Sequence, residues 1–571
     1  MVRCFLTPAF IFIPVKTKIM LKKISFLLLL LLTVFFHSSP AQNWFWGRGS
    51  GNSGSVEGIA TATDDSGNVY CTGFIEGPAN FGPFSLNATA PGDAFLLKYN
   101  STGNILWAIQ CGSTGSIGWS VATDHSGNIL LAGAFSAPFM AFGTDTIYNH
   151  GTGFDIFLIK FNSAGNELWM RSAGGHGTDG ITGVATDDND NILVTGNGGA
   201  DTMIFDSDTI SDPLLIGLFI AKYNPSGNLS WIRYNPGSGI DYSNGISCDR
   251  NGNSYITGKL NSDTLVMGSD TLFNTMNYTG FFVAKFDPSG NGLWARSAGG
   301  DCYTEGKNVV TDSTGNVYVT GNFTSPTITF GAAVLTNADN DSVSSDFFLV
   351  KYDPYGNVLW AKAGNCAGNN VVYSLARDGY NRIFVAGMFL FNPVSFNTMT
   401  LPVPPNAFYP VFIFVTDPAG YSLCGTTLPD GGDDQIGISA DNTGSAYLTS
   451  DFQISPFVIG PDTLPLNSSG EAFYVGKYFC PFTESVNEQP SAGNTFTIFP
   501  NPSTGTFHLK NYNGTGALSF TVEDVLGNNV SSGNFMGNSF SLTGLPPGIY
   551  FCTVSDKEKN IFSGKILLSG N

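Results

Sequence analysis

Residues 356–360 read GNVLW, and the same phrase returns along most of the chain. Trp107 ends GNILW, Trp169 ends GNELW, Trp231 ends GNLSW and Trp294 ends GNGLW. Leu423 takes the place in GYSLC, and Trp46 stands one period before the first copy. A period of about sixty residues belongs to a solenoid, a propeller or an array, because one such unit cannot bury its apolar faces alone. Working outward from Trp360, residues 306–363 show one unit. GKNVVTD is a short strand of small residues, STGN a turn and NVYVTG a second strand; an insertion carrying ITFGAAVL follows, then DFFLVKYD, the turn PYGN and VLWAK. Both faces of VYVTG and FFLVKY are mainly apolar, as in a sheet covered on both sides.

The first strand ends each time on a turn aspartate: Asp64, Asp124, Asp187, Asp249, Asp312, Asp378 and Asp441. It is rich in Ala, Gly and Ser, as an innermost strand crowded round an axis needs. The third strand carries Lys98, Lys160, Lys222, Lys285, Lys351 and Lys477, with Val415 in the sixth copy. That makes seven copies. After Tyr478 the chain runs into CPFTES without a fourth strand, whereas NWFWGRG near the start is an orphan with Trp46 in register. An N-terminal strand that completes the last blade removes both exposed edges. The expected fold is all-β, a seven-bladed β-propeller over 42–482 closed by its N-terminal strand.

VATDxxGNVYVTG followed by FLVKYDPxGNxLW resembles the SBBP family of bacterial beta-propeller repeats across about residues 43–480. Copy six departs most, with Val415-Thr416 where Lys-Tyr is usual and Leu423 for Trp. That resemblance implies a fold and an extracellular setting but no fixed activity. Beyond a linker at 483–495, residues 496–571 read as a small β-sandwich. They resemble the type A C-terminal sorting domain of the type IX secretion system, on Pro500-Asn501-Pro502 with Gly505, Asp524 through Gly527, and Leu545 through Gly548 to Tyr550. The resemblance implies that this module addresses the chain to the type IX machinery, the cargo being then released or anchored to the outer surface of the outer membrane.

The amino terminus fits an exported protein. Lys22-Lys23 precede an apolar run from Ile24 to Phe36, and Ser39-Pro40-Ala41 offers a cleavage site, so 1–41 reads as a signal peptide with Met20 as its natural start. Removing it takes five basic side chains and no acid, moving the formal charge from −19 to −24. An acidic chain lacks the basic footprint of nucleic-acid binding, and the apolar run is too short for a membrane span. Of nine cysteines, Cys4 leaves with the signal; the other eight mostly fall at different places in the repeat with no CxxC, which favours buried thiols with room for a single pair.

No HExxH, GxSxG or phosphate loop appears, and His125, His150 and His176 stand alone in turns or loops. A residue present in every copy holds the copy together, so function belongs where copies differ. The insertions MAFGTDTI (140–147), MIFDSDTI (203–210), LVMGSDTL (265–272) and FVIGPDTL (457–464) read as hairpins that either decorate one face as a binding surface or cover blade ends. Glu57, Asp179, Asp241, Glu305 and Asp434 precede innermost strands in five copies; they form either a calcium-binding collar or water-facing loop acids. No other cofactor is expected. Three readings stand: a monomeric, non-enzymatic binding or adhesion scaffold for polysaccharide or protein, a glycan-acting enzyme with a central carboxylate pair, and a purely structural surface protein.

Overall fold

The computed structural model describes residues 44–481 and 497–568, apart from 52–53, 89–91, 113–114, 200–201, 206–207, 212–216, 235–238, 240, 275–277, 341, 408, 430–434, 500–502, 504, 511–515, 524–528, 543–544, 546–547 and 557–558. The signal peptide and linker expected at 1–41 and 483–495 lie outside the described residues. Among the described residues there is no helix, and so none able to cross a membrane. The chain divides into two compact parts, at residues 482 and 483.

In the first part, Ser55–Thr63, Val69–Glu76, Asp93–Tyr99 and Ile105–Cys111 pair in that order, each antiparallel to the last. The pattern returns with inner strands Ser116–Thr123, Gly180–Thr186, Tyr242–Cys248, Thr304–Thr311, Asn370–Arg377 and Gly437–Ala440, and two of these sheets extend to six strands among the described residues. In the seventh, the outer strand comes from the other end of the chain: Trp44–Gly49 pairs with Ala472–Phe479, Trp46 opposite Lys477. Asp93–Tyr99, Asp155–Phe161, Gly280–Phe286 and Asp346–Tyr352 are buried along their whole length, which is why their sequences show no polar alternation. Each inner strand packs on that of the next repeat, and the seventh packs on the first. Threonine hydroxyls tie these strands: Thr123 donates to the Thr63 carbonyl, Thr186 to Thr123, and Thr63 to Ala440.

The GNxLW phrase works on two boundaries at once. Its tryptophan lies over the glycine of the next repeat: Trp46 on Gly103, Trp107 on Gly165, Trp169 on Gly227, Trp231 on Gly290, Trp294 on Gly356 and Trp360 on Gly420. At Gly227 the backbone has φ +79°, and a Cβ would stand 2.7 Å from the Trp169 ring, so only glycine fits. The indole N–H then donates to the same turn, Trp169 to Pro225 O at 3.2 Å and Trp294 to Pro354 O at 3.0 Å. The third-strand lysine of the same repeat reaches that very carbonyl, Lys160 at Pro225 and Lys285 at Pro354. Repeat seven treats repeat one alike: Trp46 and Lys477 both donate to Ser101 O.

These lysines also answer the turn aspartates. Asp124 and Asp187 are almost wholly buried, and Lys160 and Lys222 meet them at 2.8 and 2.9 Å. Copy six breaks the pattern for a structural reason. Its neighbour, repeat seven, has no third-to-fourth-strand turn, because its outer strand arrives from the N-terminus. A tryptophan at Leu423 would have no glycine to cover, and a lysine at Val415 no turn carbonyl to reach. Arg382, in the position held by Asn68 or Asn316 elsewhere, supplies the missing cation. It bonds Asp378 at 2.7 Å and donates to Cys480 O and Gly444 O, both at 2.9 Å. A disulfide, Cys424–Cys480 with Cα atoms 6.0 Å apart, joins repeats six and seven at this place. The other six described cysteines are free, and Cys71, Cys111, Cys366 and Cys552 are buried.

The insertion hairpins seal the repeats. They send apolar side chains to full burial, as Ala79, Met140, Met203, Leu265 and Phe457 show. Two of them add to the preceding repeat's outer strand, Met203 pairing with Gly175 and Phe396 with Gly364. Their sequences alternate because one face is core and the other, with Phe139, Tyr148 and Phe273, is exposed.

The second part holds a three-stranded sheet (Thr497–Phe499, Thr506–Lys510, Ser539–Ser541) and a four-stranded one (Asn529–Met536, Ala517–Glu523, Gly548–Asp556, Lys559–Leu568). Phe507, Phe540, Phe520, Val522, Cys552 and Ile566 share one core. Of the residues carrying the sorting resemblance, Gly505 has φ +126°, Gly548 opens the third strand of the four-stranded sheet, and Tyr550 is buried. Pro500, Asn501, Pro502, Asp524 and Gly527 lie outside the described residues.

Candidate functional site

All seven inner strands border one cavity of about 810 Å³. The strands are not regular where they face it. In six repeats the pairing with the second strand slips by one residue, between Gly58 and Ala60, Gly118 and Ser120, Ile181 and Gly183, Ser243 and Gly245, Gly306 and Asn308, and Val372 and Ser374. A bulge leaves its extra residue unpaired and re-aims its side chain. The extra residues are Ile59, Trp119, Thr182, Asn244, Lys307 and Tyr373, and Ile436 holds the matching place in repeat seven; all seven line the cavity. Each stands five positions before its turn aspartate. The backbone device repeats, but the side chain does not.

The ring has two sides. Ile436 and Ile59, adjacent through repeats seven and one, are buried. From repeat two to repeat six the half-buried sequence is Trp119, Thr182, Asn244, Lys307, Tyr373. Lys307 Nζ lies 2.9 Å from Glu305 and 5.8 Å from the centre of the Tyr373 ring. Asn244 Nδ2 donates to the Gly306 carbonyl at 2.7 Å. An aromatic at each end of a polar arc, facing an apolar wall, can grip a molecule that has both apolar faces and hydroxyl edges.

Of the acids singled out near the inner strands, Asp179, Asp241 and Glu305 are occupied. Asp179 accepts backbone N–H groups of Gly175 and Gly199 at 2.7 and 2.8 Å, and Asp241 accepts Asn261 N and the Ser262 hydroxyl. Burial raises both carboxyl groups above the ordinary range despite these donors. Glu305 is buried too, which pushes it up, but Lys307 and Lys259 more than offset this and hold it low. Glu57 lies in the first inner strand opposite Phe74, and Asp434 is outside the described residues. Among the described residues no three His, Cys, Asp or Glu side chains gather as a metal site. Asp179 and Asp241 each fasten their own loop.

In the sequence the hairpins are the visible variable elements, whereas the bulge is not marked in composition. Its signal in the sequence lies five positions before the turn aspartate, where the copies run through Ile, Trp, Thr, Asn, Lys, Tyr and Ile.

Residues 231–263 match the beta-propeller repeat family SBBP, and residues 497–569 match the secretion system C-terminal sorting domain. The sorting domain indicates a secreted or outer-surface protein. An uncharacterized WD repeat-containing protein of Acanthamoeba polyphaga mimivirus is 24% identical over 76% of this chain, which spans 38% of that relative's length. Among solved structures, a protein of unknown function from Dyadobacter fermentans is 8% identical with a TM-score of 0.35, covering 77% of this chain and 100% of that one. The endosialidase of phage phi92 is 9% identical with a TM-score of 0.36, covering 92% and 88%.

Proposed function

We propose that this chain is an exported, non-enzymatic binding protein whose central cavity faces an extracellular ligand. Residues 42–482 form a seven-bladed propeller closed by the N-terminal strand. Residues 1–41 direct export and 496–571, beyond the linker, engage the type IX machinery. Closure is supported by the shared carbonyl of Ser101, which receives Trp46 and Lys477 just as Pro225 receives Trp169 and Lys160. The binding reading rests on one observation: six bulge positions and their equivalent in repeat seven face one cavity, and their side chains run from apolar through aromatic to polar and charged. Variation confined to the wall of a cavity is how a repeated frame acquires specificity. The full-length secreted protein, applied to glycan and envelope-protein arrays beside a glycosidase panel, should show saturable binding without product release. Turnover of any glycan, or no binding on either array, would overturn this reading.

A further inference from the structure

We propose, building on that reading, that the cavity holds a neutral saccharide unit on the arc from Trp119 to Tyr373. A pyranose ring presents C–H groups on its faces and hydroxyl groups at its edge, and the arc offers partners for both. Trp119 and Tyr373, in repeats two and six, supply aromatic faces; Thr182, Asn244 and Lys307, in the three repeats between, supply donors and acceptors. Ile59 and Ile436 close the other side without a polar atom. The volume of about 810 Å³ suits one or two sugar rings.

Charge selects among sugars. Lys307 is engaged by Glu305 at 2.9 Å, and Lys259 meets the same carboxylate at 3.2 Å. Asp179, which also lines the cavity, spends both oxygens on backbone N–H groups. With its cation and its acid already satisfied, the wall favours an uncharged hydroxylated ligand over an anionic one. The bulges place the arc: removing the slip would turn each of these side chains to the other face of its strand.

The test uses the full-length secreted protein, with cellobiose, N,N′-diacetylchitobiose, mannobiose, lactose and galacturonic acid as probes, by calorimetry and tryptophan fluorescence. A neutral disaccharide should bind. Trp119→Ala should weaken it about tenfold or more, while Trp119→Phe, which keeps an aromatic face, stays within a few-fold of wild type. Asn244→Ala and Lys307→Ala should each weaken it several-fold, with thermal unfolding measured beside each so that the lost bonds to Gly306 O and Glu305 are separated from lost binding. Saccharide binding indifferent to these variants but lost in Phe273→Ser, on a hairpin, overturns the inference while leaving a binding function intact. So does preference for galacturonic acid, or binding to a protein partner only. No saturable binding of any probe or arrayed ligand overturns both.

Discussion

At the scale of single residues, the chain answers to exchanges between repeats. Gly227→Ala imposes left-handed backbone on alanine, about 1–3 kcal/mol, and drives a methyl into Trp169. Chemical unfolding should show at least that loss, and Trp169→Ala with Gly227→Ala should lose less than the two singles together. Arg382 offers a sharper trial. Arg382→Asn, which restores the residue used in other copies, leaves Asp378 buried without a cation and should cost about 3–5 kcal/mol. Adding Val415→Lys should recover much of it, because the lysine would stand where Lys351 meets Asp312. Protonation gives a third handle. Burial lifts Asp346 from 3.8 to about 6, though Ala338 N, Asn370 Nδ2 and Cys366 N donate to it. The folded state therefore keeps a proton that the unfolded chain releases, so this group's contribution is fully present below pH 3.8 and is lost as pH rises through 6. Asp187 and Asp312 are held low and act in the opposite sense, losing their contribution as pH falls. Denaturant midpoints between pH 4 and 7 should fall less with rising pH in Asp346→Asn than in wild type. The recurring aspartates and lysines were both visible as scaffold in the sequence. That they pair was not, because residues such as Asp124 and Lys160 meet only once two strands are in register.

At the scale of elements, strands and turns were legible because apolar runs and Asx turns repeat. Asp64 accepts the N–H groups of Ser66 and Asn68, and Asp441 those of Thr443 and Ser445, as short polar side chains do in turns. The bulges were not legible, since a register slip leaves no mark in composition. Nor were the hairpins' duties: an alternating pattern fits a free hairpin and a sealing one equally, and only the burial of Met140 or Leu265 decides. Strand Trp44–Gly49 is the element whose loss is most telling. Its deletion bares the Ala472–Phe479 edge and empties the place of Trp46, worth about 3–5 kcal/mol for a packed tryptophan; unchanged thermal unfolding would refute its role. The boundary between repeats six and seven lacks the turn latch, and Cys424–Cys480 stands there instead, closing a separation of 56. Cys424→Ala with Cys480→Ala should cost about 2–4 kcal/mol, and the loss should be smaller if a reductant has already opened the bond.

At the scale of the whole molecule, the two parts carry different instructions. A chain truncated after Asn494 should fold and remain in the periplasm, as fractionation with an antibody to the propeller would show; normal delivery to the medium would contradict the sorting role. The carboxy-terminal address was readable because its turn motifs are ordered and specific. The candidate site was not, because it is built from side chains about sixty residues apart that converge only when the inner strands pack together.

The borrowed outer strand also sets a clock. The Gly47 N–H donates to Asp462, 415 positions on. Repeats one to six can form in order as the chain emerges, each from local pairings, whereas the seventh must wait for the first-made segment to find the last. Joining ends that far apart adds little to the equilibrium cost, which rises only with the logarithm of length, but non-local pairing slows folding. The final step of refolding should therefore be a slow ring closure, reported by Trp46. A permuted chain in which residues 42–50 are moved to follow Cys480 by a short turn should lose that phase while keeping nearly the same stability. Until the borrowed strand docks, the unfinished assembly keeps an open edge at each end, a site for pairing with another copy while the chain waits.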